Sequence, residues 1–275
     1  MSIVSGVEMS VAAIDYNAFL ASGPTADLAG TREFLIQELP YVWLDVYIAM
    51  RPHQQNVHRI EIEGFEYLWD FSSELVAQGV LRPSEAVDDR LIAAHGVSRV
   101  ATEPREDSRL RGRTLGPVEV VDASHRLPYD RGHTIDHVLG GGLDINIIPQ
   151  SRAMNRGGTW RRMERYCRDH PGTYFFCRPI YQGLCSHPAE IEFGILKPDR
   201  SIWVNTFRNY GRTEELEEFE RLYREKIAAI GQPSDLGTGG GSRNSQLPRL
   251  PGSTKEDSVA CPRRRGRNGT IFKPE

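Results

Sequence analysis

Between Asp130 and Glu164 the chain reads DRGH, then NIIPQ, then MNRGG, then WRRME, all within thirty-five residues. The segment crowds together an imidazole that can act as a base, arginines of the kind that hold phosphate, carboxamide oxygens hard enough for a small divalent cation, and a carboxylate. Phosphodiester hydrolysis asks for that set: an activated water, stabilised charge on the scissile phosphate, and help for the departing 3′ oxygen. His133 is the candidate general base, because a neutral imidazole titrates close to working pH. Arg131, two residues earlier, is expected to lie opposite His133 in a strand or to be splayed away in a turn. Gly132 permits the tight backbone that brings both round one phosphate. Asn155 stands at the mouth of a basic segment, where its side-chain oxygen suits a Mg2+ ion that keeps most of its waters.

Each residue also has a plainer use. From Gln150 to His170, six arginines (Arg152, Arg156, Arg161, Arg162, Arg165 and Arg168) accompany two carboxylates, Glu164 and Asp169. A surplus of that kind is also what a solvated helix face looks like. Taken alone, His133 reads as a satisfied core histidine, Asn155 as a helix cap, and Glu164 as a partner for Arg161 or Arg168 at helical spacing. Trp160 and Met163 read as core, and Asp136 and His137 as supporting or structural groups. The joint occurrence of all these groups in one order separates the readings.

That order resembles the DNA/RNA non-specific endonucleases of the ββα-metal fold. The resemblance rests on Asp130-Arg131-Gly132-His133, on Asn146-Ile147-Ile148-Pro149-Gln150, on Asn155-Arg156-Gly157, and on Trp160 with Glu164, and it covers about residues 115–210. It implies His133 as general base and Asn155 as the sole direct protein ligand of Mg2+, with Mn2+ as an alternative ion. It further implies Arg131 and Asn146 stabilising the phosphate or orienting groups around it, with Gln150 and Glu164 in support, Glu164 through metal-bound water. Arg131, Gln150, Arg156 and Arg161 are the expected substrate contacts. The family leaves 5′-phosphate ends and accepts DNA and RNA with little preference, which suits contacts made to phosphate rather than to bases.

The interval from His133 to Asn155 is short, as in compact members found in bacterial toxins, so a toxin effector with a cognate inhibitor protein is the expected setting. Gly157-Gly158-Thr159 adds a residue before Trp160. On one unbroken helix Asn155 and Glu164, nine apart, would face nearly opposite ways. The double glycine is therefore expected to break the helix, with Thr159 capping the part that bears Trp160 and Glu164. Two other readings compete: a catalytically silent nucleic-acid or partner-binding module on the same fold, and a zinc or nickel site built from His133, Asp136 and His137.

The elements that must position these groups suggest an α+β chain. Its 275 residues can bury a sizeable core, and a formal charge of −3 requires any nucleic-acid footprint to be local. Residues 1–101 read as a mainly helical unit of unknown role, with a helix over Thr31–Met50 kinked near Pro40. A short strand is expected at Arg59–Glu63, a helix at Glu66–Val80, and another opening at Pro83 toward Ala94. Residues 102–112 read as a linker, and 113–230 as a ββα-metal domain with an antiparallel sheet. Its strands are expected at Leu115–Asp122, Gly172–Gly183, Ile191–Leu196 and Ser201–Phe207, and a closing helix at Glu214–Ile230. Residues 231–275, rich in glycine and proline with a basic Arg263-Arg264-Arg265 run, read as a disordered tail.

The N-terminal stretch has no basic residue before Arg32, and the apolar run Phe34–Met50 is interrupted by Glu38, Pro40 and Asp45. Neither a cleaved leader nor a membrane span is expected, which suits a cytoplasmic protein or one exported without a cleaved signal. Cys167, His170, Cys177, Cys185 and His187 invite a zinc reading, but gaps of ten and eight residues between the cysteines match no common structural spacing. Buried thiols, or one Cys177–Cys185 bridge in an exported protein, are expected instead.

Overall fold

The sheet is antiparallel throughout, and it draws strands from both sides of residues 102–112. The computed structural model describes residues 13–24, 27–50, 54–100, 129–141 and 145–210, with Glu217, Arg221, Arg224, Glu225 and Ala228. Its helices are α1 (Tyr16–Ala21), α2 (Leu28–Ala49), α3 (Ser72–Ala77), α4 (Arg152–Asn155) and α5 (Gly158–Asp169). Its strands are β1 (Val57–Ile62), β2 (Phe65–Asp70), β3 (Arg90–Val97), β4 (Tyr129–His133), β5 (Ile147–Ser151), β6 (Tyr174–Ile180), β7 (Glu190–Leu196) and β8 (Ile202–Arg208). Six strands form one sheet in the order β1-β2-β3-β6-β7-β8, while β4 and β5 pair as a separate ribbon.

The pairing of β3 with β6, from Ala94↔Cys177 to Val97↔Tyr174, joins the two expected domains into one sheet. Residues 1–233 accordingly form one unit, and the boundary expected at 102–112 does not divide it. The mainly helical reading of residues 1–101 is corrected to mixed, because two expected helices contain strands. Phe65–Asp70 is a strand: Phe65, Tyr67 and Trp69 alternate into one core while Leu68 enters another, the two-residue period of a strand covered on both faces. The segment toward Ala94 is β3, buried at every position but Val97. The expected strands at 172–183, 191–196 and 201–207 are β6, β7 and β8, and α2 continues through Pro40. The expected strand at Leu115–Asp122, the linker and the tail lie outside the described residues; of the closing helix, five positions are described and are helical.

The sheet separates two cores. On one face α2 packs Leu35, Leu39 and Trp43 against Leu68, Ile92, Tyr174 and Phe176. On the other, Ile148 of the ribbon and Trp160, Met163 and Cys167 of α5 pack against Tyr67, Trp69, Phe175, Phe193 and Ile195. The ribbon and α5, which carry the DRGH-to-Glu164 segment, are thus docked on the face opposite α2. Among the described residues no helix is long and apolar enough to cross a membrane.

Candidate active site

Its first support is the ribbon itself. β4 and β5 pair antiparallel with Asp130 opposite Gln150, Gly132 opposite Ile148 and His133 opposite Ile147. Gln150 is fully buried and lies across Gly132, where any Cβ would come within 2.0 Å of its Oε1. Glycine is required here by close approach rather than by an unusual torsion. From there Gln150 donates through Nε2 to the carbonyl of His133 at 3.2 Å.

One step further, Asn146 accepts at Oδ1 from the Thr134 hydroxyl (2.6 Å) and the Ile135 amide (2.8 Å), and donates through Nδ2 to the Ile135 carbonyl (2.6 Å). The backbone from the His133 carbonyl to Ile135 is therefore fixed by buried amides. Gln150 and Asn146, expected near the substrate or in support of the site, are both buried and bonded to the backbone of His133 and Ile135. His133 itself is half-buried, and Arg131 is exposed. Because residues 129–133 form a strand, its period puts Arg131 and His133 on the same face, not on opposite sides as expected.

Asp130 is the second support, and it had no role in the sequence reading. Its carboxylate accepts two hydrogen bonds from Arg156 (2.8 and 2.9 Å), one from Arg152 Nε (3.2 Å) and one from Asn155 Nδ2 (3.2 Å). Burial opposes its ionisation, yet the bonds from Arg156, Asn155 and Arg152 prevail and hold its pKa below the ordinary carboxylate range. The contact ties β4 to the end of α4 and sets the Asn155 carboxamide, its nitrogen toward Asp130 and its oxygen the remaining acceptor. Asn209, fully buried, accepts from the Ser151 amide at 2.7 Å and donates to the carbonyls of Pro149 and Pro188, both at 2.9 Å. It fastens the ribbon to the sheet. No local sequence signal marks it, since its partners are 21 to 60 residues away.

The helix does break between Asn155 and Glu164, with a different cap from the one expected. α4 ends at Asn155, Gly157 is the extended N-cap residue of α5, and Gly158 adopts φ +64°, a left-handed torsion that favours glycine. Thr159 lies inside the helix, its hydroxyl accepting from Arg162 at 2.6 Å. Glu164 is 7 % exposed; it accepts from Trp160 Nε1 at 2.7 Å and from Arg161 at 2.8 Å, while Arg161 also reaches Asp136 at 3.3 Å. Burial, then the nearby Asp136 charge, push the Glu164 pKa up to about 7 against the pull of Arg161.

Of the expected site residues, Asn155 and Arg156 thus join a cluster with Asp130 and Arg152, and Arg161 and Glu164 one with Asp136, while His133, Arg131, Asn146 and Gln150 belong to the ribbon. A cleft of about 430 Å3 runs between α5 and the turn at 136–139, lined by Asp136, Glu164 and Arg156 among others. His133 and Asn155 do not line it; their chain neighbours Asp136 and Arg156 do. A larger cleft of about 630 Å3, lined in part by Cys185, His187 and Arg221, holds none of the expected site residues. Burial drives the His187 pKa down to about 3, which keeps that imidazole neutral.

Among the described residues no group of three or more His, Cys, Asp or Glu side chains could hold a metal ion, so the His133–Asp136–His137 alternative is not assembled. Cys167, Cys177 and Cys185 are buried thiols, and no disulfide joins Cys177 to Cys185.

No family model matches the sequence, and no curated protein matches it. Among solved structures the chain is similar to that of Sda1 nuclease with bound zinc ion, at 16 % identity and a TM-score of 0.32, over 60 % of this chain and 92 % of that one. It is also similar to an extracellular endonuclease, at 11 % identity and a TM-score of 0.28, over 59 % of this chain and 82 % of that one.

Proposed function

We propose that this chain is a divalent-metal-dependent, sequence-tolerant endonuclease acting on DNA, RNA or both. The observation that carries the proposal is the mounting of one imidazole and one carboxamide on a single braced unit. Gln150 and Asn146 fix the backbone around His133, and Asp130 on the same strand grips the nitrogen of Asn155. A site held this firmly by supporting hydrogen bonds is one whose geometry matters.

The donor set fits Mg2+ better than a thiolate- or imidazole-seeking ion. Asn155 would hold it through its side-chain oxygen, and waters would complete the shell. When bound, the ion would neutralise charge on the phosphate and on the departing oxygen. His133 accepts the proton of the attacking water. Arg131, exposed on the same strand face, donates to the non-bridging phosphate oxygens. Glu164, with Arg161 against it, orders water at the edge of the site. Every one of these contacts is to phosphate or water, which gives no means of reading bases and accounts for the tolerance.

The test is cleavage of plasmid DNA and of RNA with Mg2+, with EDTA, and after His133→Ala. Loss of cleavage in the last two is expected, and activity that survives both removes the proposed mechanism.

A further inference from the structure

Six arginines between Gln150 and His170 read, on the sequence alone, as a local basic footprint or as a solvated helix face. The fold gathers five of them along one cleft. Arg161, Arg165 and Arg168 recur at i, i+4 and i+7 along α5, so they share one side over about 10 Å of helix. With Arg156 and Arg162 they line the cleft between α5 and the turn at 136–139, and the carboxylates in that lining are Asp136 and Glu164. Five guanidinium groups therefore meet two carboxylates inside one concavity.

The α5 sequence accepts a penalty to do this. Like charges at i+3 and i+4 destabilise a helix, and α5 has no acidic residue in its first turn to oppose the helix dipole. Arg156 is held by Asp130 and Arg161 by Glu164 and Asp136, whereas Arg168 meets the half-exposed Asp169 and Arg162 a hydroxyl. A concave, cation-rich surface of this kind focuses potential on an anion that enters it.

We infer that this cleft is a phosphate track that holds the nucleic-acid strand flanking the scissile bond, with Arg165 and Arg168 contacting its backbone phosphates. The inference rests on the endonuclease reading for its substrate, but the binding it describes needs neither turnover nor metal. A single strand of either sugar enters on charge alone, without base readout.

The experiment measures binding of a labelled single-stranded DNA oligonucleotide to full-length His133→Ala protein in EDTA, over a salt series from about 50 to 200 mM. Arg165→Ala and Arg168→Ala are each expected to lower the slope of log K against log salt by about 0.7, the contribution of one phosphate contact on a single strand. Arg165→Lys, which keeps the charge, is expected to restore the slope. Both side chains are exposed, and circular dichroism checks that the variants fold.

Unchanged slopes in both alanine variants overturn the track, even where the wild-type protein cleaves. Equal binding of a polyglutamate peptide overturns the assignment to nucleic acid. Reduced slopes alongside a wild-type protein that never cleaves leave the track standing and remove the endonuclease reading instead.

Discussion

On the α2 side of the sheet, Glu192 is 5 % exposed and accepts from Arg178 Nε at 2.7 Å and from the Tyr16 hydroxyl at 2.6 Å. On the opposite side, the Asp130 carboxylate is 15 % exposed, and its arginine partners Arg152 and Arg156 are 50 % and 63 % exposed. The chemistry of the two groups is the same, arginine on carboxylate, and their physical meaning is not. Arg178 and Glu192 lie where water does not screen them, so each is the condition for burying the other. The arginines around Asp130 sit in solvent, where such pairs are worth about 0–1 kcal/mol. Stability explains the first cluster and cannot explain the second. What the second does is hold Asn155 and concentrate charge beside a cleft.

Two substitutions break this contrast if it is wrong. His133→Ala is expected to reduce cleavage by about 10²–10⁴-fold, the usual worth of a general base, while changing stability by no more than ~1 kcal/mol. Steady-state rates and urea denaturation on the same preparation separate the two quantities. Arg178→Met is expected to do the reverse. It leaves Glu192 buried with no cation, at a cost of roughly 3–5 kcal/mol, and the double variant Arg178→Met/Glu192→Leu recovers most of that loss. A folded, fully stable Arg178→Met protein would show that the buried pair is not what it appears from its burial.

How much of this was legible beforehand follows the range of the interactions. The motif residues and the break between Asn155 and Glu164 could be read locally, because glycine pairs and helical spacing act over a few residues. β6, β7 and β8 were legible as short runs rich in aromatic and β-branched residues, the last two joined by a turn at Lys197–Arg200. Phe65–Asp70 and Arg90–Val97 were misread as helical because a strand buried on both faces loses its polar alternation and resembles a core helix. Gln150 and Asn146 were legible as amides of the motif segment, but their burial and their backbone partners were not. A sequence shows an amide, not whether it faces water or a carbonyl 11 to 17 residues away. Asp130 and Asn209 escaped for the same reason: each acts through partners distant in the chain.

Asp130→Asn sharpens the comparison from the site's side. Asparagine keeps the size of the side chain but loses the charge that gathers Arg152 and Arg156 and accepts from Asn155. Supporting partners of metal ligands typically contribute about 10–100-fold in affinity. The Mg2+ concentration for half-maximal cleavage is therefore expected to rise by about that factor, with a stability change near 1 kcal/mol, since the lost pairs are exposed. Mn2+ binding followed by magnetic resonance gives the same reading without turnover. An unchanged metal requirement would remove Asp130 from the support of Asn155.

Glu164 yields the smallest effect and crosses the contrast, being a site residue with a buried carboxyl. Its folded pKa of about 7 exceeds the ordinary 4.5, so the folded state holds this proton more tightly than the unfolded chain. Stability from the group is complete below about pH 4.5, falls as pH rises toward 7, and is flat above. Glu164→Gln removes that fall. At about pH 8 the variant is expected to be more stable than the parent by about 1–2 kcal/mol: the ionisation penalty of roughly 3 kcal/mol disappears, while the amide nitrogen facing Arg161 forfeits one hydrogen bond. Near pH 4 the order reverses, because the parent is then protonated and only the lost contact counts. Urea unfolding at both pH values checks the crossing. If parent and variant run parallel across that range, Glu164 is ionised at little cost and its surroundings are wetter than its burial indicates.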